Sequence, residues 1–140
     1  MPKADSKPPL TREALEAVIE QSPYTRDLGV RLTEFEAGAV EVRLPVRPGF
    51  AQHHGFVHGS IVGFLADTAC AWAAASVAGD VVTSEYKLNF LAPATGEALV
   101  ARGSVVKAGA RQVVARADVF AVRDGAERIV ATALATIARV

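Results

Sequence analysis

The chain has 140 residues, 51% of them hydrophobic and 21% charged, which is the size and composition of one compact domain. Its 15 basic and 15 acidic residues cancel to a formal charge of zero, which argues against a protein held to nucleic acid by phosphate contacts. The single cysteine, Cys70, excludes an intrachain disulfide and a thiolate metal site, so we expect a cytoplasmic protein in a reducing compartment.

The chain begins with a segment that differs in composition from the rest. Residues 1–10 contain three prolines and no apolar run, so they predict a flexible tail and not a secretory signal. Residues 11–140 are expected to form a single domain. Its first element is predicted to be a short amphipathic helix over residues 11–21, because Leu15, Val18 and Ile19 recur at helical spacing and Thr11 can cap the first turn.

Much of the remaining chain alternates apolar and polar residues, which is the pattern of β-strands. Leu28, Val30 and Leu32 predict a first strand, and Val40 to Leu44 predict its partner after a turn at residues 37–38. A last long strand follows a hairpin signal at residues 124–125, with an alternation that begins at Ile129. The intervening strands are expected over residues 86–90, 99–105 and 113–121.

Residues 59–78 form an apolar, alanine-rich run that predicts a long helix. The run is long enough to cross a bilayer, but Asp67 lies near its centre, where a charge costs roughly 2.5 to 3.5 kcal/mol on insertion scales. We therefore expect a buried helix and no membrane contact. One such helix between antiparallel strands predicts an α+β fold in which a curved sheet wraps the helix.

The chemistry of the chain is concentrated where this helix begins. All three histidines, His53, His54 and His58, lie in the loop that leads into it. The first helical amides, at Gly59 and Ser60, lack intrahelical partners and carry the positive end of the helix dipole, so they could bind a developing oxyanion. Asp67 follows a little over two turns later on roughly the same face. The spacing predicts that carboxylate and oxyanion site share one groove.

Simpler interpretations of these residues stay open at this point. Asp67 could be a buried carboxylate that bonds only to neighbouring backbone donors. The histidines could bind zinc, although hydrogen bonding within the loop suits His58 better. Cys70 has no nearby cation to lower its pKa and is expected to pack in the core. Ser60 lies in no nucleophile elbow, so the sequence does not indicate a serine hydrolase. No glycine-rich phosphate loop is present, so we expect no nucleotide cofactor, and we expect no metal either.

Three segments together resemble a known family. His58-Gly59-Ser60 followed by 64–69 (Phe-Leu-Ala-Asp-Thr-Ala) is similar to the signature of hotdog-fold acyl-CoA thioesterases of the phenylacetate-degradation type. The segments 88–93 and 107–109 resemble that family's strand end and its Lys-x-Gly hairpin. The resemblance implies a long helix wrapped by a five- or six-stranded antiparallel sheet, acyl-CoA substrates, and homodimers that assemble to homotetramers, with active sites across the dimer interface.

The resemblance also implies roles for individual residues. Asp67 would be the nucleophile or the general base that activates water, and the Gly59 amide would polarise the thioester carbonyl. Gln52 stands where the family usually has Asn, which orients the water or the thioester. His58 would position the loop and aid the leaving thiolate, and Thr83 would hold the hydrolytic water from the partner subunit.

Further residues are expected to contact the substrate. Phe56, Phe64 and Trp72 could line a pocket for an aryl or medium-chain acyl group, and Arg102, Lys107 and Arg111 could meet the nucleotide end of coenzyme A. Two rival functions stay open, namely an acyl-thioester hydratase or dehydratase and a non-catalytic acyl-CoA-binding protein, which Gln52 mildly favours. The complete set of expected substrate-binding residues is His54, Gly55, Ser60, Phe64, Lys107, Gly109 and Arg111.

Overall fold

A computed structural model describes residues 7–140, and these form one antiparallel sheet packed on a long helix. Two short helices come first, α1 (Arg12–Gln21) and α2 (Pro23–Leu28), and the long helix is α3 (Gly59–Ala78). The sheet has six strands in the order β1-β2-β4-β5-β6-β3, so β1 and β3 are its edges. The strands are β1 (Arg31–Glu36), β2 (Ala39–Pro45), β3 (Val81–Phe90), β4 (Ala98–Ala108), β5 (Gln112–Arg123) and β6 (Ala126–Arg139). A short 3-10 turn (Pro48–Phe50) lies between β2 and α3.

Helix α3 is the core of the fold, as its apolar sequence predicts. It contacts β2, β3, β4, β5 and β6, and 78% of its most apolar 18-residue stretch is buried. Packing in the interior of the fold therefore explains its length and its apolar side chains. Small residues allow this close packing. A Cβ at Gly103 of β4 would stand only 2.2 Å from the Ala69 carbonyl oxygen of α3. The expected α+β architecture with a long central helix and six strands is confirmed.

The N-terminal part differs from the prediction in one respect. Leu28 does not begin a strand but ends α2, a helix that the alternation of residues 28–33 concealed. Pro23 suits the first turn of a helix, and Gly29 ends it with a φ of 88°, in the left-handed region that glycine adopts without strain. Strand β1 therefore starts only at Arg31. Helix α1 has the predicted cap, because the Thr11 hydroxyl accepts a hydrogen bond from the Ala14 N–H.

Four β-bulges shift the strand alternation, and those in β6 and β3 bear on the predicted residues and the site. In β6, Ile129 pairs with Phe120 while Ala131 pairs with Val119, which leaves Val130 as the extra residue. Val130 is fully buried and Ile129 is 39% exposed. The alternating β6 side chains that face the core therefore do not begin at Ile129, contrary to the prediction. In β3, Ser84 is the extra residue. This second bulge determines which β3 side chains face α3.

The expected tail over residues 1–10 falls largely outside the described residues, which begin at Lys7. Where the described chain starts, it runs beside the C-terminal half of α3. The Leu10 N–H donates to the Ala75 carbonyl at 2.9 Å. This backbone bond fixes the point at which the chain enters α1.

Candidate functional site

The loop before α3 is held by backbone hydrogen bonds. The Gln52 N–H donates to the Phe56 carbonyl, and the Gly55 N–H donates back to Gln52. Gly55 has a φ of 85°, which explains why a glycine closes this turn. The Val57 N–H donates to the Ala94 carbonyl at 2.9 Å, which ties the loop to the segment between β3 and β4. The start of α3 is therefore held rigidly.

His58 is the N-cap residue of α3. Its Nδ1 accepts a hydrogen bond of 3.0 Å from the Ser60 N–H, and the Ser60 hydroxyl lies 2.7 Å from the same nitrogen. Because Nδ1 is an acceptor here, the proton of the neutral ring resides on Nε2. The Gly59 N–H has no acceptor among residues 7–140. It is thus a free donor at the positive end of the helix dipole.

A groove of about 430 Å³ lies at this end of α3. Gln52 and Gly59, both predicted site residues, contribute to its wall. The Phe90 ring lies so close that a Cβ at Gly59 would stand 3.0 Å from its Cζ, so glycine is required for this approach. The Gln52 Oε1 accepts from the His54 N–H, which leaves the side-chain NH₂ of Gln52 to face a ligand. The remaining lining residues are Phe56, Val57, Val62, Leu91, Ala92, Pro93, Ala94 and Val130.

Asp67 lies two turns further along α3, where it is partly buried. The Thr83 hydroxyl of β3 donates to its Oδ1 at 2.6 Å, within the same chain. The second carboxylate oxygen, Oδ2, has no hydrogen-bond partner in the described part of the chain. Thr83 thus orients one oxygen of the carboxylate and leaves the other available to a ligand.

Side chains from one face of β3 lie in a row along α3. The Phe90 ring covers Gly59, and the Tyr86 hydroxyl oxygen lies 3.1 Å from the position of a Cβ at Gly63. The Thr83–Asp67 hydrogen bond completes the series one turn later. The sequence pattern gave no sign that Tyr86 and Phe90 border the site, because their alternation is equally typical of core residues.

Asp67 does not line the groove that contains Gly59. Eight residues of helix rise separate the two by about 12 Å along the axis, which is too far for both to act on one carbonyl group. The predicted sharing of one groove is therefore wrong for a single chain. The uncovered face of α3 nevertheless connects the two positions, because Ser60, Phe64 and Ala71 all keep some exposure beside Asp67.

The expected coenzyme A contacts lie elsewhere in the chain. Lys107, Gly109 and Arg111 belong to the β4–β5 hairpin at the far end of α3, about 30 Å from its start. Arg139 fastens this hairpin to the helix end by donating to the carbonyls of Gly109 and Ala78. Both Lys107 and Arg111 are exposed.

Arg102 is not near a hairpin, contrary to the prediction. It lies in the middle of β4, and its guanidinium donates two hydrogen bonds to Glu127 and one to Glu41. These bonds raise the pKa of Arg102 and, in turn, lower the pKa of Glu127. The ring of Phe120 lies 4.9 Å below the guanidinium carbon. Arg102 is thus occupied by a cross-strand network that stabilises the sheet.

The other candidate residues differ in their burial and in the side chains that they contact. Cys70 is fully buried, and this burial, together with the Asp67 carboxylate, raises the pKa of its thiol to about 12. Trp72 is only 8% exposed and belongs to the core, whereas Phe64 is partly exposed and meets Tyr24 edge-on, with ring centroids 5.0 Å apart. The ring centroids of His53 and His54 lie 4.0 Å apart, with the ring planes tilted by 43°. Among residues 7–140, no three His, Cys, Asp or Glu side chains are grouped as a metal site.

Comparisons with known proteins place this geometry in a family. Residues 54–127 match the model of the thioesterase superfamily. A protein of Saccharolobus solfataricus that carries the name of an esterase is 30% identical over 105 residues, which are 73% of this chain and 75% of that protein.

Solved structures agree with this match. A thioesterase family protein from Silicibacter pomeroyi is 39% identical, with a TM-score of 0.85 over 89% of this chain and 93% of that one. The E. coli protein of the phenylacetic acid degradation operon shares the fold, with a TM-score of 0.82 and 24% identity over 91% of both chains. The chain therefore belongs to the thioesterase superfamily and is a thioester hydrolase with the hotdog fold.

Proposed function

We propose that the chain hydrolyses acyl-CoA thioesters, with Asp67 as the catalytic carboxylate. The observation that carries the proposal is the state of this carboxylate, since Thr83 binds one oxygen and leaves the other free on the uncovered face of α3. Thioester hydrolysis needs one base or nucleophile and one electrophilic site. The free N–H of Gly59 supplies the second of these.

A second copy of the chain would bring both groups to one thioester. Gly59 and Asp67 lie four residues on either side of Gly63, so two copies with antiparallel α3 helices, related by a twofold axis at the level of Gly63, place Asp67 of each copy beside Gly59 of the other. The edge strand β3, which packs along the same stretch of α3, supports such pairing because Val82 is 55% exposed and Phe90 61%. We include a homodimer in the proposal, and a homotetramer as its further assembly.

In the proposed reaction the Gly59 N–H donates to the carbonyl oxygen as it becomes an oxyanion. Asp67 either removes a proton from the attacking water or attacks the carbonyl carbon itself, and water then hydrolyses the mixed anhydride. The C–S bond breaks with its electron pair going to sulfur, and the products are the free acid and coenzyme A. Thr83 orients the carboxylate, and Gln52 orients the water or the thioester.

The loop and the hairpin have separate tasks in this proposal. His58 holds the first turn of α3 through Ser60, and in the proposed reaction its Nε2–H donates to the leaving sulfur. In the antiparallel pair, the hairpin with Lys107 and Arg111 extends about 16 Å past Gly59 of the other copy. The pantetheine arm of coenzyme A separates the thioester from the phosphates by about this distance. The exposed basic side chains of the hairpin can therefore bind these phosphates. Gly109 shapes this hairpin, and His54 and Gly55 lie in the loop between Gln52 and Phe56, which both line the groove.

Phe56 and Phe64 support an aryl or medium-chain acyl group as substrate, because both rings are partly exposed at the site. The order of the signature segments and the fold shared with the E. coli protein of the phenylacetic acid degradation operon support the phenylacetate-degradation type. A cytoplasmic location is part of the same proposal, and the lone buried thiol of Cys70 agrees with it.

The test is release of free thiol from a panel of aryl, short-chain and long-chain acyl-CoAs. We expect the wild type to hydrolyse at least one class, Asp67→Asn to lose at least about 100-fold in kcat, and Asp80→Asn, a matched change just beyond the end of α3, to retain activity. Tight acyl-CoA binding without thiol release would instead indicate a binding protein. A change in enoyl absorbance without thiol release would indicate a hydratase or dehydratase.

A further inference from the structure

Tyr86 is one of the β3 side chains that lie in a row along α3. The extra residue at Ser84 turns Tyr86 towards the helix, on the same face of β3 as Thr83 and Phe90. Its hydroxyl oxygen lies 3.1 Å from the place where a Cβ of Gly63 would stand. Because Gly63 has no side chain, the phenol reaches the helix surface, and Leu88 Cδ2 lies 3.4 Å from the same Cβ position.

The hydroxyl of Tyr86 is unoccupied. It makes no hydrogen bond with any residue that the structure describes, and the side chain keeps 41% of its surface exposed. Two other hydroxyls on the same strand pair do have acceptors, since Thr83 donates to Asp67 and Thr136 donates to Glu85. A tyrosine hydroxyl usually has a polar partner when it is buried, so an acyl group that covers Tyr86 can itself supply that partner.

Its distance from the reacting atoms is fixed by the helix. Gly63 is four residues from Gly59 and four from Asp67, which is about 6 Å along the axis in each direction. In the antiparallel pair of the proposed function, the Tyr86 hydroxyl therefore lies about 6 Å along the helix from the thioester carbonyl at either site. At that range it faces the body of the acyl group and not the reacting carbon.

We infer that Tyr86 determines acyl specificity by hydrogen bonding to a hydroxyl or keto substituent on the acyl group. The inference rests on the proposed function, because the acyl group reaches Tyr86 only if the thioester lies between Gly59 and Asp67. A polar partner inside a site discriminates strongly, since an acyl group that lacks it leaves the phenol without a hydrogen bond. Tyr86 is thus a specificity-determining residue and takes no part in bond breaking.

The test compares acyl-CoAs that differ only by one hydroxyl, such as a 3-hydroxyacyl and the matching acyl chain, or a para-hydroxyaryl and the matching aryl group. We expect the wild type to favour one hydroxylated member by about 10-fold in kcat/KM, and Tyr86→Phe to reduce that ratio to about one. Tyr24→Phe is the matched control, because Tyr24 is the only other tyrosine of the chain, and it should keep the wild-type ratio.

Binding measurements separate this inference from the proposed function. Non-hydrolysable thioether analogues of the same pairs are titrated by calorimetry into the wild type and both variants. A preference for the hydroxylated analogue that only Tyr86→Phe abolishes supports the inference, whether or not the chain releases thiol. Equal binding of both analogues by the wild type, or an equal loss for both in Tyr86→Phe, overturns it even if Asp67-dependent hydrolysis is found.

Discussion

Thr83 donates a hydrogen bond of 2.6 Å to Asp67, a residue 16 positions away in the chain. The bond joins the edge strand β3 to the central helix at the one carboxylate within that helix. It exists because the bulge at Ser84 turns Thr83 inward, while Tyr86 and Phe90 also face α3. The geometry of β3 therefore determines the orientation of the carboxylate that we propose to be catalytic.

Removing this hydrogen bond should impair turnover without unfolding the protein. Thr83→Val keeps the shape of the side chain but has no hydroxyl, so Asp67 loses its fixed orientation, and we expect kcat to fall by about 10-fold. Thr83→Ser retains the donor and should preserve most activity. Steady-state kinetics with thermal melting distinguish the cases, and a Thr83→Val enzyme with wild-type kcat would show that the bond does not position the carboxylate.

Gly103 should tolerate no side chain. A Cβ at this position would stand 2.2 Å from the Ala69 carbonyl oxygen and 2.5 Å from its carbonyl carbon, so β4 and α3 would have to separate. We expect Gly103→Ala to lower the free energy of unfolding by about 3 kcal/mol or more. Gly49→Ala is the control, since a Cβ there meets nothing within 4 Å. Denaturant titration of both variants measures the difference, and equal stabilities would contradict the packing.

Cys70 should be unreactive in the native protein. Burial and the neighbouring Asp67 carboxylate raise the pKa of the thiol to about 12, so the side chain remains protonated at pH 8 and ionises only in strongly alkaline solution. A thiol-reactive dye at pH 8 should label less than about a tenth of the native chains within minutes, and essentially all chains in denaturant. Rapid labelling of the native protein would contradict the buried position. An unreactive Cys70 also leaves coenzyme A as the thiol that the release assay detects.

The sequence predicted the larger elements correctly because their patterns are long. Helix α3 has the expected bounds, since its apolar, alanine-rich run is long and contains only one charged residue, Asp67. The hairpin at Asp124-Gly125 is likewise confirmed, with positive φ at both residues. Helix α2 was missed because its six residues are too few to show a helical period.

The candidate site was predictable only in part. Gly59 and Asp67 were predictable, because the start of the helix and a single carboxylate within an apolar helix can both be recognised in the amino-acid sequence. The bulge at Ser84 has no such signal, because no glycine or proline marks it. Without the bulge, Thr83 would lie on the opposite face of β3 from Tyr86, so the contact between Thr83 and Asp67 could not be derived.

In the proposed function Asp67 of one copy and Gly59 of another act on the same thioester, and mixed dimers test this arrangement directly. Asp67→Asn and Gly59→Val chains, each with a different affinity tag, are co-expressed, and the dimers that carry both tags are purified. Each variant alone should be nearly inactive, the second because its side chain meets the Phe90 ring. In the mixed dimer one site is intact, so we predict about half of the wild-type activity per dimer. Mixed dimers as inactive as the two parents would contradict the claim, since a site built within one copy is broken in both chains.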